Sequence, residues 1–406
     1  MTAAITPHQI RCDNDLSMYQ SLLENNDVKK VNEFIAKREE EGPIGTRRRL
    51  LGTSVRLSRR MAPEVHRMAD ECIELLEMKI PHELYVYSSP QFNAACFKPE
   101  NDQLFVMFSS SLLEAFEGSE LRFVIGHEFG HHVYRHHDIP IGYLLNGQAR
   151  PDPKLALDLF TWSRYAEISA DRAGAHCAQD LNGVAKALFK LASGLTSKVV
   201  EFSFNDFLQQ VDEMQVEDTA PGNNAPQEDW FSTHPFSPLR VKALKYFHES
   251  ELAVPGGMNK HDLEVAVQGV MSLMEPSYIE GRTDTAEAMR RLLFAGAVVV
   301  ADAADGISEK EIEVFEQFFG RDAFSDRLSV ERIERELPGR VSAVKDNASM
   351  TQRMQVLRDL CVVAKAEGPM VNAERAVLDQ IADGLEVPRS FICQFTESNY
   401  DPINNN

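Results

Sequence analysis

The sequence predicts an α+β protein that is mostly helical, with a small antiparallel sheet in its first half and an all-α bundle in its second. Its 406 residues predict two or three domains, because single hydrophobic cores usually stop growing at about 100 to 200 residues. Apolar positions recur at helical spacing from Ser111 to about Ser197 and from His261 to about Glu397. Two short segments between Glu83 and Ser110 instead carry the composition of strands.

Composition narrows the class of protein further. Hydrophobic residues make up 43% of the chain and charged residues 26%, which is typical of a globular protein. The formal net charge of -20 repels phosphate backbones and anionic lipids, so no nucleic-acid partner is expected. The six cysteines are scattered without a CxxC pair, which indicates neither a disulfide framework nor a thiolate zinc site.

The beginning of the chain shows no targeting pattern. MTAAITPHQIRCDNDL has no basic segment followed by an apolar one, and the longest later apolar run, Leu292 to Ala301, is too short to cross a bilayer. We therefore expect a cytoplasmic protein without stable membrane insertion.

The first elements are predicted to be helices. Residues 1–45 place apolar positions such as Leu22 and Val31 among charged ones and end at the breaker Gly42-Pro43, which predicts an N-terminal helical segment. A main domain is expected over residues 46–250. It opens with an arginine-rich helical stretch, whose arginines we interpret as a solvated helix face rather than a specific anion site.

A pair of strands follows. ELYVYSS from Glu83 and QLFVMFSS from Gln103 are rich in β-branched and aromatic residues and are separated by a polar loop around Lys98 to Asp102. This pattern predicts the small antiparallel sheet.

An acidic segment interrupts the later part of the main domain. Residues 213–229 combine Asp and Glu with Pro, Gly and Asn and offer little to bury, which predicts a mobile loop. The sequence leaves open whether this loop is a plain surface excursion or a lid over a functional site.

The C-terminal region, residues 261–398, predicts a separate helical domain with an internal repeat. VVVADAADGISEKEIEVF from Val298 and CVVAKAEGPMVNAERAVL from Cys361 align with one gap as an apolar helix, an acidic turn with Gly, and a new helix. Ser308 and Glu311 form a capping-box pattern at the start of the helix after the first turn. Two helix-turn-helix units are therefore predicted.

The segment His127-Glu128-Phe129-Gly130-His131 is an HExxH motif inside a run with helical apolar spacing. Two histidines four residues apart lie about one turn apart on one helix face, so they can bind a single zinc ion. Glu128 lies about 100° round the helix from His127, where its carboxylate can reach a zinc-activated water without being a ligand. Gly126 and Gly130 are unfavourable in a helix, which predicts that another backbone packs closely there.

A catalytic zinc ion needs a third protein ligand and an open fourth position. The best candidate is Glu167, in SRYAEISADRAG on the next long helix. Asp171 follows one turn later on the same face, where a carboxylate can accept the outer N–H of a ligand histidine.

Together with these motifs, two further elements resemble a known family. The strand element Asn93-Ala94-Ala95 precedes the HExxH helix, and Thr233-His234-Pro235 with Arg240 follows Glu167. In this order, the elements over roughly residues 46 to 250 resemble the HtpX-like and CAAX-prenyl-protease family of gluzincin metallopeptidases.

The resemblance implies roles for these residues. His127, His131 and Glu167 would bind one zinc ion per chain, Glu128 would be the general base, and Asp171 would orient a ligand histidine. Arg240 would support this set from outside the ligand shell, and His234 would stabilise the oxyanion. The strand at Asn93, Ala94 and Ala95 would offer an edge to which a substrate backbone adds.

The match departs from many relatives in lacking membrane-spanning helices after the HExxH helix, which argues against membrane-embedded substrates. On a continuous helix, His132 and His136 would point roughly 140° to 180° away from His127, so we interpret them as solvent-facing or structural. Cys96 in the strand element is interpreted as a packed residue rather than an inhibitory thiolate.

The helical tail resembles the TerB-like domain of tellurite-resistance proteins, mainly through ADAADGISEKE and its repeat at Glu367-Gly368. Asp302, Asp305 and Glu311 could gather a divalent ion, but Ala301 and Ala303 stand where a calcium EF-hand needs oxygen ligands. Acidic residues at helix starts are the simpler interpretation.

The sequence thus predicts a zinc metalloendopeptidase that cleaves a protein or peptide substrate in the cytoplasm, with residues 261–398 as a regulatory or partner-binding module. One alternative is a stress-response scaffold with a structural or silenced zinc site, against which the intact Glu128 argues. Another is metal buffering by the histidine-rich helix, which would need more than one zinc ion.

Overall fold

The computed structural model of the chain describes residues 5–42, 45–146, 153–196, 200–219, 232–274, 284–304, 306–319 and 329–396. Two compact units make up the chain. The first comprises Met1–Val211 with Phe231–Glu264, and the second comprises Asp212–Trp230 with Val265–Asn406. The predicted α+β, mostly helical class is confirmed.

Helices dominate the first unit. In chain order they are α1 (Pro7–Ile10), α2 (Asp13–Glu24), α3 (Asn26–Glu41), α4 (Thr46–Thr53), α5 (Pro63–Leu75), α6 (Ser110–Ala115), α7 (Gly118–Val133), α8 (Ile141–Asn146), α9 (Pro153–Ala178), α10 (Leu181–Ser193), α11 (Phe204–Thr219), which belongs to this unit up to Val211, and α12 (Ser237–His248). A 3-10 turn at His136–Asp138 lies between α7 and α8. Helix α13 (Lys260–Met271) begins at the end of this unit.

The sheet has four strands, β1 (Val55–Leu57), β2 (His82–Tyr87), β3 (Ala94–Cys96) and β4 (Leu104–Ser109), in the order β1-β2-β4-β3. It is mixed rather than wholly antiparallel, because β2 and β4 pair in parallel while β1 and β3 pair antiparallel to their neighbours. The connection between β2 and β4 contains β3, which pairs with the far side of β4, so the two longer strands are not joined as a hairpin. Strand β3 is an edge of the sheet.

Helices α7 and α9 pack closely against each other. A Cβ atom added at Gly126 would lie 2.8 Å from Cβ of Cys177, and one added at Gly130 would lie 2.8 Å from Cβ of Ala173. The predicted close approach of another backbone is confirmed, and that backbone is α9. The glycines let the helix axes come near enough for side chains of both helices to meet.

The N-terminal helices belong to the core of the first unit. Tyr19 and Leu22 of α2 and Val28 of α3 are buried with Leu159 and Trp162 of α9. Apolar burial of this kind is the main source of packing free energy, so this segment is integrated into the unit rather than appended to it.

The second unit is a helical bundle around one apolar core. Its helices are α14 (Asp284–Asp302), α15 (Glu309–Phe319), α16 (Val330–Asn347), α17 (Met350–Ala364), α18 (Asn372–Leu385) and α19 (Ser390–Thr396), after a 3-10 turn at Ser272–Met274. Both predicted helix-turn-helix units are present, as α14–α15 and α17–α18. The Ser308 amide donates to Oε2 of Glu311 at 2.9 Å and the Glu311 amide donates to Oγ of Ser308 at 3.2 Å, so the predicted capping box is confirmed.

Part of the predicted mobile loop is helical. Helix α11 continues through residues 213–219, and residues 220–229 lie outside the described residues. The prediction is wrong for residues 213–219, because this stretch contains no Pro or Gly to end the helix despite its acidic composition. The first breaker, Pro221-Gly222, comes later.

Two further predictions concern the whole chain. None of the six cysteines, all of which lie in described residues, forms a disulfide. Within the described ranges, no helix has the length and apolar character needed to cross a bilayer.

Candidate metal centre

Three side chains from two helices converge at the contact between α7 and α9. Nε2 of His127 lies 3.1 Å from Nε2 of His131, one turn further along α7. Glu167 of α9 places Oε2 3.5 Å from Nε2 of His127 and Oε1 3.3 Å from Nε2 of His131. Among the described residues, these three form the group whose potential ligand atoms all lie within 4.8 Å of one another.

This donor set fits zinc. Two imidazoles and one carboxylate are common ligands of a catalytic zinc ion, and tetrahedral bonds of roughly 2.0 to 2.1 Å put ligand atoms about 3.3 Å apart. The observed separations of 3.1, 3.3 and 3.5 Å bracket that value. Oε2 of Glu167 is buried and accepts no hydrogen bond from the described residues. A bound cation would satisfy this oxygen.

Asp171 and Arg240 support the first histidine. Nδ1 of His127 lies 2.9 Å from Oδ1 of the buried Asp171, so the proton sits on Nδ1 and the Nε2 lone pair faces the ligand group. Arg240 of α12 donates two hydrogen bonds to this carboxylate, of 2.7 Å from Nε to Oδ2 and 2.6 Å from Nη2 to Oδ1. A second contact of Arg240 Nη2, at 3.4 Å, reaches Oε2 of Glu167.

The charges of the centre shift its pKa values. Burial alone would raise the pKa of Glu167, but the nearby His234, His127 and His131 hold it well below its usual value. Burial would lower the pKa of His131, but the hydrogen bond and charge of Glu167 raise it. For Asp171, burial is likewise outweighed by Arg240 and His127, and the pKa is lowered. The two carboxylates are therefore ionised and suited to a cation.

Glu128 lies on α7 between the two histidines and is 8% exposed. It makes no hydrogen bond within the part of the chain that the structure describes, so its carboxylate is available to a bound water or substrate. Burial, and then the charge of Glu128, raise the pKa of the Cys96 thiol on β3. The thiol form of Cys96 is therefore favoured in the metal-free chain.

His234 lies at the open side of the centre. Its side chain is 64% exposed, and Nε2 is 3.5 Å from Oε1 of Glu167. The Thr233 hydroxyl lies 2.9 Å from Nδ1 of His234, while Oγ of Ser163 on α9 donates to the Thr233 carbonyl at 3.0 Å. These contacts hold the loop against α9 and direct the imidazole toward the predicted ligands.

The predicted strand element is the edge strand β3 with the residue before it. The Asn93 carbonyl accepts from the Ser109 amide at 2.8 Å, and Ala94 and Ala95 pair with Phe108 and Met107 of β4. Strand β3 also contacts α7, which carries the HExxH motif. The sheet edge therefore lies beside the helix that supplies the two histidines.

For His136 the structure decides between the two interpretations that the sequence left open, because the residue is structural and not solvent-facing. Helix α7 ends at Val133, and Arg135 adopts a left-handed conformation (φ 60°) that does not continue the helix, so the assumption of a continuous helix fails. His136 is 6% exposed and places Nδ1 2.9 Å from Nδ1 of His131. Its Nε2 lies 3.1 Å from Oδ2 of Asp15 on α2, a partner for which the sequence carries no local signal.

Comparison with known proteins follows the same division of the chain. Residues 59–147 and 154–248 match the model of peptidase family M48, and residues 290–394 match that of tellurite resistance protein TerB. The chain thus has a segment that matches peptidase family M48 followed by one that matches TerB, and both resemblances predicted from the sequence are confirmed.

Two curated proteins are similar to the first part of the chain. Plastoglobule-localized metallopeptidase 48 of Arabidopsis thaliana is 31% identical over 213 residues, which cover 49% of this chain and 61% of that protein. A protease HtpX homolog of Helicobacter pylori is 24% identical over 217 residues, covering 45% of this chain and 66% of the relative. The chain therefore spans less than two thirds of either curated relative. No solved structure matches it significantly.

Proposed function

We propose that this chain is a zinc-dependent metalloendopeptidase. The observation that carries the proposal is the convergence of His127, His131 and Glu167 within 4.8 Å, with the unpaired carboxylate of Glu128 on the same helix. The chemistry that zinc supplies in such a site is activation of a water molecule and polarisation of the scissile carbonyl. A purely structural zinc site has no use for a free base beside it.

Glu128 would move the protons of the reaction. As a general base it accepts a proton from the attacking water, and as a general acid it passes that proton to the leaving amine. Its position next to His127, with no competing hydrogen bond among the described residues, suits both steps. Asp171 keeps the proton of His127 on Nδ1, so that Nε2 stays free to hold the metal.

His234 would stabilise the charge that develops on the substrate oxygen. If the Thr233 hydroxyl donates to Nδ1, the proton of a neutral His234 is on Nε2, the atom that faces Glu167. An N–H directed at a developing oxyanion is a common form of transition-state stabilisation. The exposed position of His234 places it where a substrate would approach.

The edge strand β3 is the proposed substrate-binding element. Its outer backbone groups have no partner strand in the described sheet, and an extended peptide could add to them as a further strand. Such a mode binds the peptide backbone, so it suits a protein or peptide substrate without strong dependence on one side chain.

Location and the role of the second unit complete the proposal. Six cysteines without disulfides suit the reducing cytoplasm. The TerB domain, with its own apolar core, would serve as a regulatory or partner-binding module.

The test compares the native chain with Glu128→Gln for zinc content and for hydrolysis of an unfolded protein such as casein. We expect about one zinc ion per chain in both proteins and near-complete loss of hydrolysis in Glu128→Gln, because the substitution removes the base but no ligand. Equal hydrolysis by both proteins would exclude the proposed mechanism. A native chain that binds no zinc would exclude the metal site itself.

A further inference from the structure

A chain of buried polar contacts extends from His131 to the N-terminal helices. Nδ1 of His131 lies 2.9 Å from Nδ1 of His136, and Nε2 of His136 lies 3.1 Å from Oδ2 of Asp15. His136 and Asp15 are 6% and 0% exposed. Water is thus largely excluded from these contacts, and the geometry of each partner depends on the next.

The direction of donation along these hydrogen bonds follows from what a metal ligand requires. His131 presents Nε2 to His127 and Glu167, so when Nε2 binds a metal ion its ring proton must be on Nδ1. That proton can only be donated to a lone pair on Nδ1 of His136. The proton of a neutral His136 is then on Nε2, from which it is donated to the Asp15 carboxylate.

Asp15 is itself held in place. Arg11 donates from Nε to Oδ2 at 2.8 Å and from Nη2 to Oδ1 at 3.2 Å, and Nε1 of Trp162 donates to Oδ1 at 3.0 Å. With His136, four N–H groups reach the two carboxylate oxygens, so rotation of the carboxylate would break several hydrogen bonds. The Arg11 guanidinium also stacks 4.9 Å from the ring centroid of Tyr19.

The two ligand histidines are therefore supported in parallel ways. His127 is hydrogen-bonded directly to Asp171, and Arg240 donates to that carboxylate. His131 is instead connected to Asp15 through the imidazole of His136, and Arg11 donates to the Asp15 carboxylate. Arg11 and Asp15 lie before residue 59, where the match to the peptidase family begins. A segment outside the matched region thus contributes to the surroundings of the metal ligands.

We infer that Asp15 and His136 are positioning residues for the metal ligand His131, and that Arg11 and helix α2 are an integral part of the zinc site. This inference rests on the proposed zinc site of His127, His131 and Glu167. It adds that zinc affinity depends on a hydrogen-bonded chain fixing the tautomer and ring orientation of His131.

The experiment measures the zinc dissociation constant of the full chain by competition with a chromogenic chelator. In His136→Phe, an aromatic ring remains but His131 loses its acceptor, and we expect zinc to bind about 10- to 100-fold more weakly, as changes next to metal ligands usually cause. Asp15→Asn should also lower the zinc affinity. Its amide N–H would face the N–H donors that now reach the carboxylate, and His136 would lose its tautomer preference.

Two further variants separate positioning from general stability. His136→Gln offers an amide oxygen to His131, so it should recover part of the affinity that His136→Phe loses, whereas a packing role would favour Phe. Glu120→Gln is the matched control, because like Asp15→Asn it replaces a buried carboxylate by an amide. Glu120 lies on α7 and pairs with Lys190 at 2.6 Å, and its replacement should leave zinc affinity within about threefold of native. Thermal unfolding of each metal-free protein shows which variants are folded.

The outcomes distinguish this inference from the proposed function. If the native chain binds no zinc, the zinc site fails and this inference fails with it. If the native chain binds zinc and folded His136→Phe binds it equally well, only the positioning role is overturned. If His136→Phe does not fold, His136→Gln and Asp15→Asn decide: native affinity in both overturns the inference, and a loss in Asp15→Asn beyond that in Glu120→Gln supports it.

Discussion

Nδ1 of His127 lies 2.9 Å from Oδ1 of Asp171, and Arg240 closes on the same carboxylate with two hydrogen bonds. The arrangement links the HExxH helix α7 to α9 and α12 through one buried acid. The carboxylate thereby fixes the tautomer of a proposed metal ligand and the packing of three helices at once. Changes at Asp171 should consequently affect both metal binding and folding.

Asp171→Asn should weaken zinc binding by about 10- to 100-fold while keeping the side-chain shape. The amide has no charge to hold Arg240, and its NH2 group cannot accept from either donor. Chelator competition measures the loss, and emission spectrometry measures zinc content after dialysis. Native zinc affinity in the folded variant would show that Asp171 serves packing alone.

Glu167→Ala should lose the metal almost completely, because two imidazoles alone are a weak zinc site. The matched control is Glu120→Ala, which removes a buried carboxylate from the Lys190 ion pair in the same unit. That control should lose stability but keep its zinc. Full zinc occupancy in Glu167→Ala would mean that the third ligand is another residue.

Gly130→Ala should destabilise the first unit, because the new Cβ would lie 2.8 Å from Cβ of Ala173 and 3.1 Å from Cα of Ala170. Overpacking of this kind lowers the free energy of unfolding by about 1 to 3 kcal/mol, whereas the higher helix propensity of Ala raises it by at most about 1 kcal/mol. We expect a lower melting temperature and weaker zinc binding, since His131 is the next residue.

The control for this substitution is Gly52→Ala in α4, where an added Cβ meets no atom within 4 Å. It should leave the melting temperature unchanged or raise it slightly. Equal melting temperatures for Gly130→Ala and the native chain would show that α7 and α9 can separate without cost.

The stability of the metal-free chain should fall in acid. The pKa of Asp171 in the folded chain is lowered despite burial, because Arg240 and His127 favour its charged form. Such a group stabilises the fold above its unfolded pKa of about 3.9, and that contribution is lost as the pH falls through the folded value. Urea unfolding between pH 6 and pH 3 should therefore show a decline that is steepest below about pH 4.

Asp171→Asn should show a shallower decline over the same range, because the group that takes up the proton is absent. Glu33→Gln changes the net charge equally at an exposed position of α3 and should retain the native pH profile. Identical slopes for the native chain and Asp171→Asn would rule out Asp171 as a source of the acid sensitivity.

In this site, local sequence patterns predict which side chains share a helix face but not which helices pack together. A spacing of four residues places His127 and His131 one turn apart on any helix, and the same spacing relates Glu167 to Asp171. The glycines at positions 126 and 130 indicated a close neighbour without identifying it. Which helix came close, and which acid met which histidine, depended on residues far apart in the chain.

The sequence by itself determined the helical character of both units, the one-turn spacing of His127 and His131, the same spacing of Glu167 and Asp171, and the capping box at Ser308, because each depends on residues within one or two turns. Tertiary structure decided the parallel pairing of β2 with β4 and the burial and partners of His136. A single left-handed residue, Arg135, separates His136 from helix α7, and packing brings Asp15 to a histidine 121 positions away. No periodicity records such a contact, since its stability comes from burial of both partners among side chains contributed by distant segments.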